Sequence, residues 1–152
     1  MYKKLIFLLL FLNCALFGYT LGDTLDKSTI DKLGIKDDKI YIVDFYASWC
    51  VSCKVELPLI SKLNSTIEKT KYMIIGINID KDINKGKAFT KKADLRFKII
   101  YDNKNKLVSK FDPIGVPALY YIKNYKVEKV LFGAIEHIDK KILNDLKGME
   151  QR

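Results

Sequence analysis

Two apolar runs do most to limit what this chain can become. KIYIVDFY (residues 39–46) and KYMIIGINID (residues 71–80) are rich in β-branched and aromatic residues and too short to be long helices. Neither alternates cleanly between apolar and polar, so each is predicted to be a strand covered on both faces. Between them lies a helical segment whose apolar stripe is expected from Leu59, Ile60, Leu63 and Ile67, with Pro58 predicted to kink it. A strand, a crossover helix and a second strand imply parallel pairing.

The rest of the chain extends this unit. A short helix is expected around residues 28–33, a polar helix over 82–95, a short strand at FKIIYD and a helical turn over 105–111. DPIGVPALYYIKNYKVEKVLFGAI then reads as two strands joined near Asn124. Residues 138–146 read as a closing amphipathic helix with Ile138, Ile142, Leu143 and Leu146 on one face. The hairpin puts an antiparallel edge on a parallel sheet. The predicted fold class is α/β, with a mixed central sheet and helices on both faces.

The chain has 152 residues, enough for one domain with a sizeable core, and 49% of them are apolar, which argues against disorder. Its formal net charge of +9 comes mostly from dispersed lysine. Nucleic-acid binding wants clustered basic residues with interleaved aromatics. Here there are only pairs such as Lys91-Lys92 and Lys140-Lys141, so no nucleic-acid partner is expected, and weak attraction to anionic lipid heads fits better. A monomer is expected.

Residues 1–20 form a separate object: two lysines, an apolar run over residues 5–12, then small and mixed residues. This is the layout of an export signal or an N-terminal membrane anchor, with residues 21–152 as the folded domain. Three fates fit it: cleavage near Ala15 or Gly18, lipidation at Cys14, or retention as a short membrane anchor, giving a possible membrane tether. Each would put the domain outside the cytoplasm, in a periplasm or cell envelope where disulfides persist.

The candidate chemistry sits at DFYASWCVSCKVELP (residues 44–58), where the first long strand ends and its helix begins. Open α/β sheets carry their sites at this edge. Structural zinc needs four ligands, and beyond Cys50 and Cys53 the chain offers only Cys14 and His137, so no metal is expected. A structural disulfide closing so short a loop would stabilise little. A redox role has a mechanism. At a helix start, unpaired N–H groups and the helix dipole stabilise a Cys50 thiolate, which attacks a partner disulfide; Cys53, one turn inside, then resolves the mixed disulfide. Asp44, inside an apolar strand, and Glu56, one turn after Cys53, are candidate proton carriers for that resolving step. Their negative charge, and a Val51-Ser52 spacer with no cation, point to a reductant rather than a strong oxidant. Phe45 and Tyr46 are expected in the core, and His137 is given no role.

VDFYASWCVSCKVELP resembles the active-site segment of the thioredoxin superfamily, and GVPALYYI (residues 115–122) resembles the loop in which that superfamily carries a cis-proline facing its cysteines. The resemblance implies a thioredoxin fold over roughly residues 27–148. It implies a cis Pro117 preceded by Val116, whose backbone would pair with substrate, with Trp49 as a flat apolar contact. Glu56 in CKVELP makes the chain most similar to exported TlpA/ResA-type thiol:disulfide oxidoreductases; it also resembles the C-terminal thioredoxin-like domain of DsbD. Residues 20–38 are too short and polar for the N-terminal β-hairpin of the former group. No cofactor beyond the cysteines is implied. The implied partners are disulfide-containing protein substrates and an upstream membrane thiol carrier. The other reading open to the sequence is a non-catalytic binding or chaperone module with a structural disulfide.

Overall fold

The computed structural model describes residues 18–151; the proposed signal or anchor, including Cys14, lies almost wholly outside the described residues. Helix α1 (Lys27–Leu33) leads to strand β1 (Ile40–Tyr46), helix α2 (Val51–Asn64) and strand β2 (Tyr72–Asn78). Helix α3 (Ile83–Lys92), strand β3 (Lys98–Tyr101) and helix α4 (Val108–Phe111) follow. Strands β4 (Ala118–Lys123) and β5 (Lys126–Phe132) and helix α5 (Ile138–Glu150) close the chain. The strands make one sheet in the order β3-β2-β1-β4-β5. β1 pairs in parallel with β2 and antiparallel with β4, and β2 pairs in parallel with β3. This is the expected mixed sheet.

Alternation along β1 divides the core. Tyr41, Val43 and Phe45 point to one face, where Leu33, Leu107 and Phe111 join them. There Phe45, Phe111 and Tyr120 meet with centroids 4.8–5.7 Å apart, each such pair adding about 1 kcal/mol beyond burial. Ile40 and Ile42 point the other way and pack with Ile60 and Leu63 of α2 and Ile138, Ile142 and Leu146 of α5. Helices therefore cover both faces. Leu143 falls outside this set at 38% exposure, and Met149 takes the place expected of it, because 138, 142, 146 and 149 keep one helical face.

Local chemistry sets the ends. Asp26 accepts from the Thr29 N–H to cap α1, and Gly34, in the left-handed region at φ 62°, ends it. Asn124 and Tyr125, both at positive φ, turn β4 into β5. Helix α2 runs unbroken through Pro58, which sits exposed. Its buried face is Cys53, Glu56, Leu57, Ile60 and Leu63, with Leu59 only half-buried. There is no N-terminal hairpin among the described residues. Instead Gly22 and Leu25 donate to the carbonyls of Val127 and Tyr125, and Val127 donates to Asp23, which covers part of the outer edge of β5. Contacts of the folded unit reach back to Tyr19, whose ring packs on Phe111.

Candidate functional site

β1 ends at Tyr46, and a three-residue link delivers Cys50 to the N-cap of α2. Cys50 has extended backbone angles (φ −79°, ψ 110°), and its Sγ accepts the Cys53 N–H at 3.1 Å. Cys50 and Cys53 form a disulfide with Cα atoms 5.3 Å apart. Cys50 is at the surface of the core, while Cys53 is fully enclosed among Tyr46, Ala47 and Leu57. No acidic residue stands in the first turn of α2, and the positive end of the helix acts on Cys50.

The Val116–Pro117 peptide is cis, and Val116 presents its carbonyl oxygen 3.7 Å from Cys50 Sγ. Val116 precedes the first ladder residue of β4, Ala118, and Gly133 donates to the Pro117 carbonyl at 2.9 Å. Trp49 projects outward beside Cys50 at 64% exposure, and Val51 and Ile114 are also exposed. The structure thus gathers Trp49, Cys50, Cys53, Val116 and Pro117 at one end of the sheet. Phe45 and Tyr46 are core, as expected, with the Tyr46 hydroxyl 2.9 Å from the Thr90 hydroxyl. His137 lies before α5, exposed, beside Glu136.

The two candidate carboxylates are Asp44 of β1 and Glu56 of α2. Asp44 is on the α2-facing side of β1, and one of its oxygens, Oδ1, is buried without a hydrogen-bond partner. Burial pushes its carboxyl well above the ordinary range, and the Glu56 charge adds to that. Glu56 is buried too, rather than a solvated helix carboxylate. Its Oε1 accepts from the Ile135 N–H in the loop before α5, and its Oε2 is unpartnered. Burial raises this carboxyl as well, and the Ile135 bond offsets part of the rise.

A second set of residues bears on the site and escaped the sequence reading. Asp80, just beyond β2, accepts from the Ser48 N–H at 2.9 Å, the Ser48 hydroxyl at 2.7 Å and the Asn78 amide at 2.7 Å. This ties the link carrying Trp49 and Cys50 to the neighbouring strand. Gly86 of α3 packs so closely on Asn78 that a Cβ there would sit 2.2 Å from its Oδ1. Asp102, after β3, accepts from the Lys106, Leu107 and Val108 N–H groups and so caps α4. The available signal was positional: the polar ends of β2 and β3 lie at the same sheet edge as the cysteines.

Among the described residues no helix is long and apolar enough to cross a membrane. Comparison with known proteins agrees with the geometry. The chain is 29% identical over 117 residues to thiol-disulfide oxidoreductase ResA of Oceanobacillus iheyensis, a match covering 76% of this chain and 60% of that protein. The chain thus spans about three fifths of that relative's length. In fold it resembles PrxQ of Xylella fastidiosa, solved as a cysteine-to-serine mutant, with a TM-score of 0.74 at 16% identity over 88% of this chain and 99% of the other. It also resembles StoA of Bacillus subtilis, with a TM-score of 0.65 at 22% identity over 74% and 84%. The family model described as the AhpC/TSA family matches residues 19–129, most of the chain, and with the thioredoxin-type sheet and cysteine site this makes the protein a member of the AhpC/TSA family within the thioredoxin superfamily.

Proposed function

We propose that the protein is a thiol:disulfide oxidoreductase that reduces disulfides in protein substrates outside the cytoplasm. The observation that carries this reading is Cys50 at the N-cap of α2, disulfide-bonded to an enclosed Cys53 and beside the Val116 carbonyl. In the dithiol form, the Cys50 thiolate attacks one sulfur of a substrate disulfide. That bond breaks, and the departing thiolate takes a proton. Cys53 loses its proton and attacks Cys50 Sγ, which breaks the mixed disulfide and releases the second substrate sulfur as a thiolate that is protonated in turn. Two electrons pass to the substrate, and the Cys50–Cys53 disulfide remains.

Asp44 and Glu56 are the proton carriers of the resolving step, since raised carboxyls near a thiol can exchange protons close to neutrality. The Val116 backbone and Pro117 receive the substrate strand, and Trp49 offers an apolar contact. A further turnover requires a dithiol donor, which for a domain exported or tethered by residues 1–20 is a membrane thiol carrier. The protein acts as a monomer with no cofactor beyond its cysteines.

The test is reduction of insulin disulfides by the purified dithiol form, together with trapping by Cys53→Ser. Turnover, and mixed disulfides through Cys50 in the variant, are expected. A protein that reduces neither insulin nor a small disulfide would instead be a non-catalytic module.

A further inference from the structure

Two grooves reach the residues immediately before Cys50, one lined by Trp49 and the other by Ser48. One, of about 520 Å³, is lined by Trp49, Ile79, Asn105 and Val108, with Lys81 and Lys85 on its rim. The other, of about 460 Å³, runs between α2 and α3 past Ser48, Pro58 and Phe89, with Lys54 and Lys92 on its rim. All four lysines are exposed, and none forms an ion pair among the described residues. Elsewhere acids meet bases: Asp31 with Lys27, Glu68 and Glu150 with Lys71, Asp26 with Lys110, and Asp145 with Lys129 and Lys141. Among the lining residues the acids are Asp80 and Asp82, both in the first groove. Asp80 is buried and committed to Ser48 and Asn78. Asp82 accepts from the Asn84 and Lys85 N–H groups as the cap of α3.

The surface beside Cys50 therefore combines apolar groups from Trp49, Ile79, Val108 and Phe89 with four lysines against two aspartates, neither of which pairs with a lysine, so its balance is positive. That combination selects an extended segment with an apolar residue against Trp49 and carboxylates on either side. We propose that the two grooves form a docking surface for acidic segments flanking the disulfide of a protein substrate, with Lys81 and Lys85 as the principal specificity residues. This rests on the reductase reading for its purpose but not for its test.

Trp49 is the only tryptophan in the chain, so its fluorescence reports on the groove directly. Three peptides that share one core, with serine in place of cysteine and Glu, Ser or Lys flanks, are titrated into the oxidised protein. The Glu-flanked peptide should bind about tenfold more tightly than the Lys-flanked one, and added salt should narrow the gap. Lys81→Glu/Lys85→Glu should reverse the order. Lys36→Glu/Lys147→Glu makes the same change in net charge with lysines near the opposite end of the sheet and should preserve it. Equal binding of the three peptides would overturn the proposal, as would equal loss of preference in both double variants. A Trp49 response to anionic vesicles but not to the peptides, or one that tracks self-association, would also overturn it. Reduction of the uncharged hydroxyethyl disulfide is measured alongside. Its failure would remove the reductase reading while the peptide titration still decides the docking surface.

Discussion

The molecule buries carboxylates in two ways. Asp80 and Asp102 sit at the ends of β2 and β3, and both are met by donors: two from Ser48 and one from Asn78 for the first, three backbone N–H groups for the second. Asp44 and Glu56 lie between β1 and α2, and each keeps one buried oxygen without a partner. A buried acid with a full set of donors organises backbone. A buried acid without them is driven toward its neutral form and raises the free energy of the folded state when ionised. The first pair is architecture. The second stands on the side of β1 that faces α2, the helix that carries Cys53, and is the pair proposed above to handle protons.

Breaking the satisfied pair should do the most damage. Asp102→Ala leaves three N–H groups at the start of α4 without an acceptor, and Leu107, the N-cap residue, supplies no side-chain bond of its own. The expected cost is about 3 kcal/mol, read as a fall of about 10 °C in melting temperature. Unchanged melting would mean that water replaces the carboxylate freely. Asp80→Ala should cost less, about 2 kcal/mol, since the Ser48 groups are only half-buried. Its distinguishing effect is on the link holding Trp49 and Cys50, so Trp49 fluorescence should change more than in Asp102→Ala. Identical spectra in the two variants would erase the distinction between them.

The orphaned pair should respond with the opposite sign. Asp44 has a raised carboxyl in the fold, so between its unfolded value of about 4 and its folded value the native chain holds a proton that the unfolded chain has lost. Stability from this group is complete below that window and falls as the pH rises through it. Asp44→Asn removes the dependence. The variant should therefore unfold at higher denaturant than the parent at pH 8, by about 1–2 kcal/mol, and the advantage should shrink toward pH 4. An advantage that is constant with pH would mean the native carboxyl is not displaced. If Asp44 accepts the Cys53 proton, as proposed, the same variant should slow disulfide reduction, because its amide cannot take that proton.

The sequence made some of this legible and hid the rest for physical reasons. β1 and β2 stand out because both faces are covered, so their residues are apolar regardless of register. The site edge follows from Cys50 lying directly after β1. The apolar pattern of α2 starts at Leu59, but burial begins at Cys53 and passes through Leu57, since the helix starts at the cysteine pair. The segment over residues 22–25 joins β5 through backbone bonds and one buried side chain, Leu25, which set no periodic pattern. Asp80 and Asp102 stand in the sequence only as the polar last residues of two predicted strands; the Ser48 donors to Asp80 come from 32 residues away, and those to Asp102 are backbone groups that leave no mark in side-chain pattern. Asp44 was visible as an acid within an apolar strand. Glu56 is legible by its spacing from Cys53 and by the CKVELP resemblance, but not its bond to the Ile135 N–H in the loop before α5.

Glu56 gives the smallest and most discriminating effect. Its Oε1 accepts the Ile135 N–H, and a glutamine can keep that bond through its own carbonyl oxygen. Glu56→Gln should therefore move stability by under about 1 kcal/mol at neutral pH. It also takes a negative charge away from Asp44, one cause of that group's raised carboxyl, so the Asp44 titration should move down. If the two acids work as one proton-handling unit, the inflection in the rate of disulfide reduction should shift to lower pH in Glu56→Gln. Asp44→Asn should remove that inflection. A Glu56→Gln profile that superimposes on the parent would separate the two carboxyls, leaving Glu56 as a tie between α2 and the loop before α5 and Asp44 as the one group that answers to pH.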